Sequence, residues 1–186
     1  MTVTYFKRYK MQIDLAEIKN ESVRQFEDYS FASWNRNLVD QHAEAKYFSF
    51  CDELDSHVFP CLGSADGCLK LMNEISCRKG FVPEATWLLV YQPKGASHFE
   101  NCGTVQGIRS SSNESGSIQN LGISRAHRGR GLGSQLLLRS LNGFASVGVQ
   151  KVSLEVTAQN EGALKLYKNV GFEIIEIVYK SADLVY

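Results

Sequence analysis

The sequence predicts a single α/β domain, with α+β character, built on a mixed β-sheet. Three observations support this: the first half is rich in strand patterns, the second half alternates strands with helices, and residues 103–124 form a predicted hairpin. Strands separated by helices can pair in parallel, whereas the two strands of a hairpin pair antiparallel. A mixed sheet flanked by helices is therefore expected.

In the first half, residues 5–15 and 26–34 are predicted strands. Apolar residues recur at helical spacing over residues 38–54, which predicts a helix there. Its apolar positions are Val39, Ala43, Tyr47, Phe50 and Leu54. A second helix carries Leu69, Met72 and Ile75, and Ser64 is its predicted N-cap.

In the second half, the continuous apolar run from Thr86 to Gln92 predicts a central strand. Further elements follow in order: strands over 103–109 and 117–124 joined by a loop at 110–116, a helix over 132–147, a strand over 151–157, a helix from Asn160 to Gly171, and a last strand over 172–179. Asparagine at the start and glycine at the end of the second helix are typical caps.

Length and composition restrict the class of protein. The 186 residues suit one domain with a sizeable core, and we expect no linker within residues 1–186. Because 20 basic and 20 acidic residues cancel, we expect neither a nucleic-acid partner nor a membrane partner. No apolar run is long enough to span a bilayer, and the polar N-terminus lacks the apolar core of a signal peptide.

The five cysteines are an odd number without a Cys-x-x-Cys pair. This pattern favours free thiols in a reducing compartment, so a cytoplasmic location is expected. The four histidines form no metal-ligand spacing with the cysteines, and we therefore expect no metal. A catalytic Cys–His pair stays open as an alternative, although no local signature supports it.

One glycine-rich segment stands between a predicted strand and a predicted helix. It contains Arg128, Gly129, Arg130, Gly131, Leu132 and Gly133, followed by Ser134. Glycines leave backbone N–H groups accessible, and the first turn of a helix carries unpaired donors and partial positive charge. These features predict a phosphate or pyrophosphate site, with arginine charge beside it.

Other interpretations of this segment are weaker. A tight turn before a helix is the simplest alternative. A P-loop would have Lys-Ser or Lys-Thr after the last glycine, and a dinucleotide fingerprint has a different glycine spacing. An RNA-binding Arg-Gly tract normally lies in a basic, low-complexity region, whereas this segment lies within a patterned globular one.

A second group of candidate residues follows in residues 151–167. Val152, Leu154 and Val156 alternate with polar residues, so Glu155 lies on the opposite face of its strand. A carboxylate within an interior strand is costly unless it is paired or hydrated, which points to a cleft. The alternative is a solvated glutamate on an edge strand.

On the next predicted helix, Asn160, Leu164 and Tyr167 share one stripe. An asparagine amide can contact a ligand, and a tyrosine phenol can donate or accept a proton. Helix capping by Asn160 and core packing of Tyr167 are the competing explanations.

These two segments resemble the Gcn5-related N-acetyltransferases (GNAT). Arg128-x-x-Gly131-x-Gly133 is similar to the acetyl-CoA signature of that family. The second block, Leu154-Glu155-Val156 followed by Asn160, Ala163, Leu166, Tyr167, Gly171 and Phe172, is similar to its next conserved block. The resemblance covers roughly residues 85–180, and the first 85 residues match only in helix and strand order.

The resemblance implies a sheet splayed at its centre, with acetyl-CoA as co-substrate in the cleft. Residues 86–186 would form the acetyl-CoA-binding core, and residues 1–85 would lie on the acceptor side. The backbone of Leu121, Gly122 and Ile123 would pair with the pantetheine arm, and an N–H of this segment would stabilise the oxyanion. The loop from Arg128 to Ser134 would hold the pyrophosphate, and Asn160 would contact the pantetheine arm.

The implied activity is direct acetyl transfer to a primary amine, on a small molecule or on a protein N-terminus or lysine. Tyr167 would protonate the departing thiolate. A weaker similarity to acetyltransferases of ribosomal-protein N-termini implies that Glu155 is the base. The alternative is a non-catalytic acyl-CoA sensor or regulatory module on the same fold, whose mark would be loss of Glu155 or Tyr167. A homodimer is a possible assembly.

Two features need the tertiary structure. The family usually ends in a β-hairpin, but only 15 residues follow Gly171, since 186 − 171 = 15. The final strand should therefore be short, absent or supplied by a partner chain. Asp52, Glu53 and Asp55 form an acidic cluster near the expected acceptor entrance, where a solvated helix end is the simpler explanation than attraction of a cationic amine.

Overall fold

The computed structural model describes residues 2–18, 23–111 and 114–184. Its strands are β1 (Thr2–Asp14), β2 (Tyr29–Ser33), β3 (Phe81–Tyr91), β4 (Glu100–Arg109), β5 (Ser115–Ile123), β6 (Lys151–Thr157) and β7 (Glu173–Leu184). Its α-helices are α1 (Val39–Phe50), α2 (Leu54–Val58), α3 (Ala65–Ser76), α4 (Leu132–Ser146) and α5 (Glu161–Val170). The seven strands form one mixed sheet in the order β2-β3-β4-β5-β6-β1-β7. The predicted mixed α/β fold is confirmed.

The first strand lies near the end of the sheet, between the last two strands of the chain. Residues 8–14 of β1 pair antiparallel with β6, and residues 2–12 pair antiparallel with β7. Within the described residues, no strand follows β7 to form a hairpin with it. The N-terminal strand of the same chain takes the place beside β6 and pairs with that strand's backbone groups.

The helices cover both faces of the sheet. Thr104 and Gly103 are consecutive in β4 and therefore point to opposite faces. Thr104 Oγ1 lies 2.8 Å from Nδ1 of His42 in α1, whereas a Cβ added to Gly103 would lie 3.2 Å from Leu136 in α4. Helix α1 therefore packs on one face and α4 on the other.

Most predicted elements are present, with shifted ends. The predicted helix over 38–54 is interrupted between α1 and α2. Strand β3 begins at Phe81, five residues before the predicted start. Its pairing with β4 is irregular between Val82 and Trp87. The hairpin of β4 and β5 is antiparallel as predicted, but residues 112 and 113 of its loop lie outside the described residues.

The predicted caps are confirmed. Ser64 Oγ accepts a hydrogen bond from Gly67 N at 3.1 Å, and Asn160 Oδ1 accepts one from Ala163 N at 3.1 Å. Gly171 follows α5 with φ of 115°, a left-handed conformation that glycine adopts without strain. Asn160 therefore does cap its helix, and any contact with a ligand would be additional.

Candidate active site

The sheet opens between β5 and β6. These strands pair in parallel only where Ser115–Ser117 face Lys151–Ser153. Beyond this point, residues 118–123 have no partner on the β6 side, so their backbone groups face a cleft. Two adjoining cavities occupy it, and both are lined by Arg8, Phe59, Asn120 and Glu155. The larger has a volume of about 500 Å³. The splayed centre implied by the resemblance is therefore present.

The glycine-rich loop stands at the start of α4. Gly129 and Gly131 have φ of 76° and 80°, and nothing lies within 4 Å of a Cβ built on either one. The first hydrogen bond into the helix runs from Gln135 N to Gly131 O. In the described part of the chain, the N–H groups of residues 131–134 have no acceptor. This open row of donors at a helix N-terminus fits a pyrophosphate.

Arg128 is held by three hydrogen bonds within the chain. Its Nε donates to Ile123 O at 2.9 Å, and its two terminal nitrogens donate to Glu53 Oε1 at 2.6 Å and to Ser49 O at 3.0 Å. The side chain therefore ties the end of α1 to the end of β5, beside the loop. Arg130 is exposed.

A buried histidine positions the start of the loop. His127 precedes Arg128, and its Nδ1 lies 2.8 Å from the hydroxyl of Tyr29. Its Nε2 lies 3.1 Å from Glu100 Oε2. These contacts join the loop to β2 and β4, so the sheet holds the loop in place.

The unpaired stretch of β5 lies against α1. A Cβ added to Gly122 would lie 2.7 Å from side-chain atoms of both Ser49 and Phe50, so only glycine permits this approach. Asn120 has φ of 49° and lies where the pairing with β4 is irregular. This irregularity lies beside the cleft, where residues 121–123 have no strand partner on the β6 side and the Ile123 carbonyl accepts its hydrogen bond from Arg128.

Glu155 lies in the cleft and is paired with an arginine from the first strand. Its side chain is 48% exposed, and Arg8 Nε donates to its Oε2 at 3.4 Å. Because β6 has β5 on one side and β1 on the other, Glu155 is not on an edge strand. The strand as a whole is interior, but its pairing with β5 ends at Ser153, so Glu155 is exposed where β6 borders the cleft.

Arg8 is nearly inaccessible and connects three elements. One of its terminal nitrogens donates to Thr157 Oγ1 at 2.7 Å and to Asp55 Oδ1 at 3.5 Å, and the other donates to the Glu155 carbonyl at 3.3 Å. Thr157 Oγ1 donates in turn to Asp55 Oδ1 at 2.9 Å. The ring of Phe59 lies 4.9 Å from the guanidinium carbon.

The three residues of the acidic cluster differ in exposure and in pairing. Asp52 is exposed, Glu53 is paired with Arg128, and the Asp55 side chain is only 17% exposed. The solvated helix end expected for the cluster is thus wrong for Asp55, because Arg8 and Thr157 hold it inside the cleft.

Tyr167 is buried in α5 and lines the same cavity as Asn160 and Glu155. Burial raises the pKa of its phenol, the Asp55 carboxylate raises it further, and Arg8 opposes this in part. A tyrosine phenol already carries its proton at neutral pH, and the raised pKa makes it hold that proton more firmly. Tyr167 can therefore act as a proton donor, although its ring also packs 5.9 Å from that of Phe172.

Arg8 and Asp55 line the cleft, Thr157 is hydrogen-bonded to both, and none of the three belongs to the candidate motifs. Arg8 and Thr157 carry no local signal in the sequence, since their contact joins residues 149 positions apart. Asp55 could be suspected only from the acidic cluster. The pairing of β1 with β6 brings Arg8 and Thr157 together, and α2 adds Asp55.

The five thiols are free and differ in exposure. Cys61 and Cys77 are exposed, and Cys61 lines the larger cavity. Burial raises the pKa of Cys68 to about 11 and that of Cys102 to about 12. Among the described residues, no group of three or more His, Cys, Asp or Glu side chains could hold a metal ion, and no helix is long and apolar enough to cross a membrane.

Comparison with known proteins identifies the family that the two sequence motifs resemble. Residues 81–172 match the sequence model of the acetyltransferase (GNAT) family. The N-alpha-acetyltransferase RimI of Mycobacterium tuberculosis is 46% identical over 56 residues, which are 30% of this chain and 34% of that protein. The mycothiol acetyltransferase of Corynebacterium aurimucosum is 41% identical over 61 residues, 33% of this chain and 20% of that protein. This chain thus matches about a third or less of these relatives.

Solved structures show the fold over nearly the whole chain. A GCN5-related N-acetyltransferase from Sphaerobacter thermophilus superposes with a TM-score of 0.67 at 22% identity, covering 95% of this chain and 50% of that one. A tandem GNAT protein from the clavulanic acid biosynthesis pathway gives a TM-score of 0.60 at 14% identity, covering 95% and 53%.

Proposed function

Because this chain belongs to the Gcn5-related N-acetyltransferase family, we propose that it transfers an acetyl group directly from acetyl-CoA to a primary amine. The observation that carries the proposal is the shared cleft: Glu155 and Tyr167 line one cavity between the diverging strands β5 and β6. An acid and a base that face the same space are what amide formation from a thioester requires.

The cofactor side of the cleft would hold acetyl-CoA, which supplies an activated acetyl group as a thioester. The open N–H groups of residues 131–134 would bind the pyrophosphate. The segment Leu121, Gly122 and Ile123, which has no strand partner on the β6 side, would pair with the pantetheine arm, and an N–H in it would stabilise negative charge on the carbonyl oxygen. Asn160 would add its side-chain amide nitrogen, which its capping role leaves unused.

The proposed role of Glu155 is to accept the proton that the amine nitrogen releases on attack. Its carboxylate is half exposed in the cleft, so an acceptor can reach it. Tyr167 then gives its phenolic proton to sulfur as the carbon–sulfur bond breaks. Since the amine attacks the thioester directly, no residue carries the acetyl group, and the alternative of a catalytic Cys–His pair is not needed.

The test is release of free CoA thiol from acetyl-CoA. The purified protein is mixed with a panel of primary amines that contains alkyl amines, amino-acid amides and peptides with free N-termini. Thiol release that depends on one class of amine, with formation of its acetyl-amide by mass spectrometry, supports the proposal. Tight acetyl-CoA binding with no release for any amine would favour the sensor or regulatory module instead.

The other partners stay predictions. Neither the homodimer nor the cytoplasmic location expected from the sequence is tested by the geometry of the site. The outer strand β7 does expose Ile175, Ile177 and Tyr179.

A further inference from the structure

The cleft contains one carboxylate that the proposed acid and base do not use. Asp55 lines the cavity with Tyr167 and Asn160. Both hydrogen bonds to its side chain end on the same oxygen, Oδ1, from Thr157 and from Arg8. Among the described residues, Oδ2 accepts no hydrogen bond. Asp55 is thus fixed by one oxygen and presents the other without a partner.

The charged side chains that line the cavity of Asp55 carry a net negative charge, and Lys180 lies outside this lining, with its Nζ 4.7 Å from the ring of Phe59. One guanidinium, that of Arg8, stands against two carboxylates, Asp55 and Glu155. Lys10 lines the adjoining cavity, but its Nζ lies 3.7 Å from Glu176, so that pair is neutral in sum. A cation that entered the cleft would therefore complete its charge balance.

Arg8 cannot turn away to serve an anionic ligand. Its three nitrogens are used by Glu155, Thr157 and Asp55, and Phe59 covers its face. The residue is 5% exposed. Arg8 and Thr157 therefore act as positioning residues, which hold the Asp55 carboxylate at the wall of the cavity.

We propose that Asp55 Oδ2 is the ammonium-binding site for the acceptor. The acceptor would then be a primary amine that enters the cleft as its cation, donates an N–H to Asp55 in the smaller cavity, and extends into the adjoining cavity of about 500 Å³. This rests on the proposed function. One proton of the ammonium passes to solvent water before attack, and the proton released after attack goes to Glu155.

The test compares Asp55→Asn with Asp52→Asn. Asparagine keeps an Oδ1 acceptor for Thr157 and Arg8, so the fold should be retained, and Asp52 is an exposed carboxylate three positions away that controls for the change in charge. With the best amine of the panel, Asp55→Asn should raise KM about 10- to 100-fold, as for loss of a hydrogen bond to a charged group. Asp52→Asn should change KM less than twofold.

A second measurement separates binding from proton transfer. The hydroxyl analogue of the same amine, which carries no charge, is used as a competitive inhibitor. The inhibition constant of this analogue should be alike in the wild type and in Asp55→Asn. Only the wild type should bind the amine more tightly than the hydroxyl analogue. An Asp55→Asn variant with the KM of the wild type would overturn the ammonium site. If its kcat were lower at that unchanged KM, Asp55 would act on the reaction through Tyr167 and not by binding the amine.

Failure of the proposed function gives a different pattern. If the wild type binds acetyl-CoA but turns over no amine, direct transfer fails, and the ammonium site is tested by binding alone. The panel amine that most raises the melting temperature of the CoA-bound wild type should not raise that of Asp55→Asn. If no amine stabilises the CoA-bound wild type, the ammonium site is wrong as well.

Discussion

Arg8 and Thr157 are directly paired residues on β1 and β6, and Arg8 donates a hydrogen bond of 2.7 Å to the Thr157 hydroxyl. Through this contact the first strand of the chain reaches the cleft that the second half forms. The same arginine holds Asp55 and Glu155. The N-terminal strand therefore completes the sheet and also fixes the carboxylates of the proposed site.

Gly131→Asp should abolish acetyl-CoA binding, because its side chain would place negative charge in the open space beside the unpaired N–H groups. In the wild type, a hundredfold excess of acetyl-CoA over Kd should stabilise the fold by about 2.7 kcal/mol and raise the melting temperature by several degrees, and NADH should not. The control is Gly148→Asp, since Gly148 has the same φ of 80° and open surroundings but lies after α4. Normal binding by a folded Gly131→Asp would show that the loop does not hold the pyrophosphate.

Tyr167→Phe should lower kcat about 10- to 1000-fold, since a thiolate needs a proton donor less than an alkoxide does. Acetyl-CoA binding, followed by the thermal shift, should be nearly unchanged. Tyr179→Phe is the matched control, because Tyr179 is 67% exposed on β7. A Tyr167→Phe enzyme as fast as the wild type would remove Tyr167 from the proton transfer.

Glu155→Gln should reduce the rate most at low pH, where few bases in the solvent are available to accept the proton that the attacking nitrogen releases. The measurement is kcat/KM against pH with the true acceptor, together with acetyl-CoA affinity, which should change little. Glu161→Gln, an exposed position at the start of α5, controls for the loss of one carboxylate. A uniform loss across the pH range would contradict the role of base.

Alkylation of Cys61 should block turnover, because Cys61 is exposed and lines the larger cavity. Cys61→Ala should be active and resistant to a maleimide, whereas Cys77→Ala, which removes the other exposed thiol, should be active and still sensitive. Cys68 and Cys102 should react slowly, since they are buried and their pKa values are raised.

An acetylated cysteine detected by mass spectrometry on the turnover timescale would overturn direct transfer.

Lys46 should make stability depend on pH. It is fully buried, its Nζ has no partner among the described residues, and burial lowers its pKa from 10.5 to about 7. Between these values the unfolded state binds more protons, so stability rises with pH. At pH 7, Lys46→Met should be more stable than the wild type by about 4 kcal/mol, and the difference should shrink towards pH 10.

Urea unfolding at several pH values measures this difference. Lys70→Met is the control, since Lys70 is exposed on α3. A constant difference between Lys46→Met and the wild type across the pH range would mean that Lys46 is charged in the folded protein.

The sequence by itself determined the order of helices and strands, the caps at Ser64, Asn160 and Gly171, and the glycine loop. These features depend on residues that are close in the chain, since periodicity and capping act over a few positions. The alternation around Glu155 also identified its face of the strand. Such local patterns predict which residues are candidates, but not which of them meet.

Only the tertiary structure decided how the cleft is completed. The pairing of β1 with both β6 and β7 depends on contacts between residues at least 137 positions apart, which no local pattern specifies. That pairing buries Arg8, and the buried guanidinium in turn draws Asp55 inward, because a buried charge needs a partner. The tertiary fold thereby moves Asp55 from an ordinary acidic cluster into the wall of the cleft.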